Sequence, residues 1–263
     1  VHSIRSAANP QFRRWLRIAG TPRAVREGGL TLAEGVHLAQ AARDAGVAVE
    51  AILLRQGSAH AEVAAVVADL SAHVPRFELA ATLYDRLAPV EQGLGLMLVL
   101  PLPRPQLPRA APVDMLYLDG IQDPGNVGTL IRTAAAAGVR HVLASAGTAA
   151  LWSPRVLRAG MGAHFRVGLH EHVAVESLPG ALRGEWLLAV AHDAPSLWEA
   201  RLDAPALGWI FGAEGSGPSA QARAMAQRRV RIPTGSAVES LNVAAAAAVC
   251  LFERCRQRAL ARD

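Results

Sequence analysis

The architecture of this chain turns on two stretches, WIFGAEGSG (209–217) and VRIPTGSAVESLN (230–242). In each, an apolar run of strand length passes directly into a turn rich in Gly, Ser and Pro. A third stretch, YLDGIQDPGNVGTLIRTAAAAGV (117–139), has the same strand-then-glycine character and continues into an alanine-rich helix. Loops at the carboxyl ends of strands are where α/β domains place their ligands. Around these stretches, strands are expected at 115–118, 141–144, 186–191, 208–211 and 230–232. Helices are expected near 127–137 and 154–161, with a long final one over 241–258. Repeated strand–helix alternation predicts a parallel sheet with helices on both faces.

Two common nucleotide sites do not fit. The glycines of DGIQDPGNVGT, at 120, 125 and 128, miss the G-x-G-x-x-G spacing, and a P-loop needs a lysine this chain lacks. Asp123, Pro124 and Gly125 read as a turn, after which Asn126 is placed to cap the helix. Arg132 follows six positions on, about 600° around the helix, so it does not share a face with Asn126.

Upstream, LPLPRPQLPRAAP (100–112) carries five prolines and reads as an extended, semi-rigid linker. The expected domains are therefore 1–100, a linker over 101–112, and 113–263. The first shows helices at 10–19, 36–45 and 61–70 and strands at 51–54, 76–79 and 96–100, a small α/β domain.

All 27 basic residues counted as Lys or Arg are arginine, and guanidinium forks suit phosphate and stacked bases. Arg5, Arg13, Arg14, Arg17, Arg23 and Arg26 precede the first acid, Glu27, which reads either as a nucleic-acid footprint or as a solvated helix face. Arg158, His164 and Arg166 are read either as RNA-facing or as structural. No apolar run reaches the roughly 20 residues of a membrane span. The charged amino end is read as carrying no signal peptide. Cys250 and Cys255, five apart in a helix, are not expected to pair, which fits a cytoplasmic protein. His170 and His172 fall on one side of a strand, yet lack the partners of a zinc site, so no metal is expected.

In order and spacing, the motifs N-x-x-G-x-x-x-R, F-G-x-E-G and I-P…S-L-N resemble the SpoU/TrmH family of RNA ribose 2′-O-methyltransferases, in the SPOUT superfamily, from Asp114 to about Glu253. The resemblance implies a deep trefoil knot at the carboxyl end of the second domain. TLAEGVHLAQAARDAG (31–46) resembles the amino-terminal substrate domain of many SpoU members, similar in fold to kink-turn-binding ribosomal proteins. S-adenosylmethionine is then expected against main-chain and apolar atoms of Gly212, Ile232 and Leu241. Asn126, Arg132, Glu214, Ser240 and Asn242 are expected around the transferred methyl. Ala244 and Gly160 depart from serines frequent in the family, so a hydroxyl contact at 244 is not expected.

The implied reaction is methylation of a ribose 2′-hydroxyl in ribosomal RNA; the alternatives are the same reaction on transfer RNA and a non-catalytic RNA-binding protein of the same fold. The family assigns Arg132 as base. A guanidinium, with a pKa of about 12.5 or above, is seldom neutral, so gripping phosphate and stabilising a developing alkoxide is the role expected here. Family members are dimers, and the helix over 241–258, apolar nearly all round, is the expected homodimer interface.

Overall fold

The computed structural model of the chain describes residues 1–70, 73–88, 93–235 and 240–260. It divides into two compact units, Val1–Pro103 with Trp152–Phe165, and Arg104–Leu151 with Arg166–Asp263. In chain order the first unit holds β1 (His2–Ile4), α1 (Pro10–Gly20), α2 (Pro22–Gly28), β2 (Leu30–Glu34), α3 (Val36–Asp44), β3 (Ala51–Arg55), α4 (Ala61–Asp69), β4 (Arg76–Leu79), α5 (Ala81–Asp85) and β5 (Leu96–Pro101). The second opens with β6 (Met115–Asp119), α6 (Pro124–Ala136) and β7 (His141–Ala144). The chain then gives α7 (Pro154–Gly160) to the first unit. The second resumes with β8 (Gly168–His170), α8 (Leu178–Ala181), β9 (Glu185–Val190), β10 (Leu207–Gly212), α9 (Ala220–Met225), β11 (Arg228–Arg231) and α10 (Val243–Leu260).

In the first unit Asn9 caps α1 by accepting from the Gln11 and Phe12 amides, and Pro10 starts the helix. Helical spacing then buries Phe12, Trp15 and Ile18, leaving Arg13, Arg14 and Arg17 outside. Surface ion pairs take Arg14 (Glu50, 3.1 Å) and Arg23 (Glu27, 2.6 Å). The sheet runs β1-β4-β3-β5-β2, parallel across its first three strands and antiparallel where β5 meets β3 and β2. Its core joins Ile52, Leu96, Leu98 and Leu100 to Leu38 of α3 and Val63, Val66 and Val67 of α4. Thr31 Oγ1 donates to the Trp152 carbonyl at 2.6 Å, tying β2 to the later segment.

The expected domain spans differ from these units in two ways. Residues 152–165 leave the span 113–263 and join the first unit. The proline-rich stretch is also not free throughout: the Ala110 and Ala111 amides donate to Gly180 and Ala181, and Leu107, Ala111 and Val113 pack on the core of the second unit.

Glu34, at the end of β2, is fully enclosed, and burial pushes its carboxyl up to about 7, with Arg158 opposing the shift and Asp85 adding to it. A carboxyl raised in the folded state contributes stability below its ordinary range that is lost as pH rises through about 7. Each tenfold change in proton affinity between folded and unfolded chain is worth ~1.4 kcal/mol. Glu34→Gln is therefore expected to stabilise this unit by ~2–3 kcal/mol at pH 8 and to have little effect below about pH 5. Thermal unfolding at the two pH values checks both magnitude and sign.

The second sheet runs β11-β9-β10-β6-β7-β8 and every pairing in it is parallel. Strands β6, β7 and β8 extend one way, and the chain then crosses to β9, β10 and β11 on the other side. The neighbours β6 and β10 thus flank the point where strand order reverses, the crevice in which open α/β sheets bind ligands. Trp186, Tyr117, Leu143, Leu188 and Ile210 form the core on one face. The final helix α10 packs on α6 and is pinned by an enclosed ion pair. Arg254, 2% exposed, donates from Nε and Nη2 to both oxygens of Asp114 at 2.7 and 2.5 Å. Its remaining donors reach the carbonyls of Leu202 and Ala204. Among the described residues no helix is long and apolar enough to cross a membrane.

Candidate functional site

The second unit's loops converge at the carboxyl ends of β6 and β10. Asp119, the last residue of β6 and nearly enclosed, accepts from the Ser219 amide at 2.7 Å. Ser219 in turn caps α9, so one carboxylate fixes where the loop after β10 ends. Sequence reasoning passed over Asp119; an acid closing an otherwise apolar strand was its available signal.

The helix α6 is capped by Asp123, not by Asn126 as expected. Asp123 Oδ1 accepts from the Asn126 amide at 2.7 Å, because Asp123, with extended backbone, stands at the N-cap position and lays its side chain back over the first helical turn. The Asn126 side chain is thereby released for another contact. Its Nδ2 donates to Glu214 Oε1 at 2.8 Å, and its Oδ1 accepts from Asn242 Nδ2 at 2.9 Å. Asn242 Oδ1 is occupied by the amides of Ala244 and Ala245, the first turn of α10. That cap sets the Asn242 amide, which sets the Asn126 amide, which aims its donor at Glu214. Three loops far apart in sequence are joined by one hydrogen-bonded chain whose direction is fixed at the helix end. Among the described residues the other oxygen of Glu214 has no hydrogen-bond partner, which leaves it for a ligand donor.

A cavity of about 640 Å³ adjoins this chain, lined by Gly212, Glu214, Ile232, Ser240, Leu241 and Asn242. Leu241 presents an exposed apolar side chain there. The middle of the third stretch, residues 236–239, lies outside the described residues. Arg132 does not line the cavity. It is on the exposed side of α6 and, among the described residues, has no hydrogen-bond or ion-pair partner. The cavity also includes residues the sequence did not single out, His192, Asp193 and Arg223. Asp193 holds a left-handed backbone (φ 56°), an uncommon conformation for any residue with a side chain.

Gly212 was expected to let a ligand close to the backbone. The close neighbour is the chain itself: a Cβ at 212 would stand 2.0 Å from the Pro218 nitrogen and 2.4 Å from the Gly217 carbonyl carbon. The loop returns over the strand end, closed by the Gly217 amide donating to Ala213 at 2.8 Å. Gly212→Ala must push backbone from backbone, and we expect it to weaken cofactor binding at least about tenfold, a modest ~1.4 kcal/mol. Calorimetric titration with S-adenosylmethionine measures it.

His170 and His172 do not share one side of a strand, because β8 ends at His170 and His172 turns left-handed (φ 56°). His170 Nε2 instead lies 3.2 Å from His141 Nδ1, and burial, with His141 adding to it, pulls His170 down to about 4. His164, read as RNA-facing or structural, is enclosed against the Trp152 ring within the first unit.

The profile of the SpoU rRNA Methylase family matches residues 115–252. The chain is 40% identical over 149 residues to an uncharacterized tRNA/rRNA methyltransferase of Synechocystis, covering 54% of this chain and 53% of that one. It is 38% identical over 154 residues to the 23S rRNA (guanosine-2'-O-)-methyltransferase RlmB of Pseudomonas syringae, covering 56% and 60%. The chain thus spans little more than half the length of these two relatives. Over nearly its whole length, 96% of this chain and 98% of the other, it is 29% identical to the 23S rRNA (guanosine(2553)-2'-O)-methyltransferase RlmP of Bacillus subtilis. Among solved structures it is similar to an RNA 2'-O ribose methyltransferase, with a TM-score of 0.81 and 28% identity over 98% of this chain and 99% of the other. The SpoU methyltransferase AviRb of Streptomyces viridochromogenes, solved with AdoMet, has the same fold, with a TM-score of 0.86 at 23% identity over 95% and 98% of the two chains.

Proposed function

This chain belongs to the SpoU rRNA methylase family, and we propose that it transfers the methyl group of S-adenosylmethionine to a ribose 2′-hydroxyl of ribosomal RNA, in the cytoplasm. The observation that carries this reading is the chain Asn242–Asn126–Glu214 at the edge of a cavity at the switch point of a parallel sheet. A cavity of about 640 Å³ is of the size that small cofactors fill. Its backbone-rich loops and the apolar Leu241 suit a flat base, and Glu214 suits a cationic centre.

S-adenosylmethionine supplies, when bound, a methyl group already activated on a sulfonium. The protein's residues then have to hold a ribose oxygen in line with that methyl, at roughly 3–3.5 Å, and accept its proton. The free oxygen of Glu214 is the acceptor best placed by the hydrogen-bonded chain, while Asn126 and Asn242 keep it oriented. Ser240 adds a hydroxyl beside them. Arg132 grips the RNA phosphate and stabilises the developing alkoxide.

Because Arg132 lies outside the cavity lining, we assign it to a partner's site in a homodimer. Support comes from α10, where exposed Phe252 and Ala245 share a face with the half-buried Ala248 and Val249. Phe252→Glu is expected to give a monomer without activity; sedimentation at micromolar concentration showing a fully active wild-type monomer would refute the dimer. The finer fold reading is a deep trefoil knot at the carboxyl end of the second unit and a kink-turn-type RNA-binding fold for the first. Likeness over the whole chain to an RNA 2'-O ribose methyltransferase structure supports both.

Transfer of tritium from labelled cofactor to ribosomal RNA, but not to transfer RNA, tests the substrate class. No transfer to either would favour an RNA-binding protein without activity.

A further inference from the structure

The first unit holds its own cavity, of about 1000 Å³, distinct in residues from the one above and lined by Glu34, the amino end of α3, Arg155 and Arg158. Three observations meet there. Glu34 has a side chain only 1% exposed, and among the described residues neither carboxylate oxygen has a hydrogen-bond partner. Arg158 Nη1 is 3.6 Å from Oε2, too long for a hydrogen bond. An enclosed carboxylate without donors is costly and points to a missing partner. Second, the nine-residue helix α3 follows Gly35, an N-cap residue that offers no side-chain cap, so the first amides of the helix are available to an anion. Third, Arg155 is exposed and, among the described residues, unpaired. Arg43, also in the lining, is already engaged by Asp44 and Asp69, at 2.9 and 2.5 Å.

The occupant must offer N–H donors to a carboxylate and anionic oxygens to a helix end and an arginine. A nucleotide does both. Among the bases, guanine places two donors, N1–H and N2–H₂, side by side on one edge, matching the two oxygens of a carboxylate; each other base offers one donor group on that edge. Unstacked bases of single-stranded RNA are commonly read on that edge. We propose that this cavity receives an unstacked guanosine of the RNA, Glu34 accepting from its N1–H and N2–H₂ and the α3 amino end with Arg155 and Arg158 holding its phosphate.

Arg158, with a side chain 42% exposed, is the flexible group over the carboxylate, and its move to the phosphate uncovers Oε2. Gly93 leaves the space that the carboxylate itself occupies, since a Cβ there would stand 2.2 Å from Oε1. The inference rests on the reading of RNA as substrate. It also accounts for a carboxylate that lowers the stability of the fold at neutral pH, a cost typical of functional positions.

Fluorescence anisotropy of the full chain with labelled oligouridine carrying one central guanosine, inosine or adenosine tests it. Guanosine is expected to bind about tenfold tighter than adenosine, the scale of a good bidentate contact, with inosine, which lacks the N2 amine, between them. Glu34→Gln should abolish the preference while leaving the protein at least as stable. Arg155→Gln should weaken all three oligonucleotides alike. A folded Glu34→Gln protein that still prefers guanosine overturns the proposal, as does a wild type with no preference. Glu34-dependent binding of an arginine-rich peptide in place of RNA would also overturn it. Methyl transfer measured on the same preparations separates the two readings: transfer without guanosine preference sinks this pocket alone, and preference without transfer sinks the methyltransferase alone.

Discussion

Arg132→Ala will lower the single-turnover rate of methyl transfer by about 10²–10³-fold, the usual loss when a donor aimed at developing charge is removed. Cofactor affinity will be unchanged. The guanidinium is exposed on α6, outside the cavity lining, so its removal disturbs neither the fold nor the cofactor loops. Arg132→Lys will recover part of the rate, since charge is kept and the planar fork is lost. Mixed dimers of Arg132→Ala and Asn242→Ala subunits will regain activity if each arginine serves the opposite protomer. Rapid-quench kinetics and calorimetric titration decide this. A large loss of cofactor affinity would move Arg132 into the cofactor site and remove it from the chemistry.

Removal of Arg254 acts on the fold instead of the chemistry. Arg254→Ala will destabilise the second unit by about 3–5 kcal/mol, because it leaves Asp114 enclosed without its counter-charge. It also strips donors from the carbonyls of Leu202 and Ala204, which shape the approach to β10. At ~2–4 °C per kcal/mol for a domain of this size, the transition should fall by roughly 10 °C. Arg258, 3.3 Å from Asp114 but partly exposed, offers little compensation. Pairing Arg254→Met with Asp114→Asn should recover much of the loss, since neutralising both partners removes the isolated charge. A single variant as stable as wild type would mean that α10 is held by its apolar face alone.

The regular elements were legible because each announces itself locally. The strands of the second sheet other than β8, together with α6 and α7, fall within a few residues of their expected spans, since apolar runs ended by Gly or Pro determine both type and boundary. Contacts made across the sequence were not legible. That α7 leaves its neighbours to join the first unit is decided by tertiary bonds such as Thr31 to Trp152, 121 positions apart. The residue types at 126, 214 and 242 were singled out from the motifs, yet their mutual hydrogen bonds depend on the Asn242 cap, which no spacing rule reveals. Asn126 itself looked like a helix cap; Asp123, three residues earlier, takes that role and frees it. Glu34 in the stretch AEG looked ordinary, and only enclosure shows it lacking a hydrogen-bond donor among the described residues.

Methylation of a ribose 2′-oxygen leaves a chemical mark that base methylation does not. Ribosomal RNA incubated with the protein and S-adenosylmethionine should, after partial alkaline hydrolysis, lack one cleavage product, immediately 3′ to a single nucleotide, because a 2′-O-methyl group removes the attacking hydroxyl. The same RNA treated with Arg132→Ala protein should give an unbroken ladder. An unbroken ladder from RNA that has nonetheless incorporated the labelled methyl group would place the methyl on a base and refute ribose methylation.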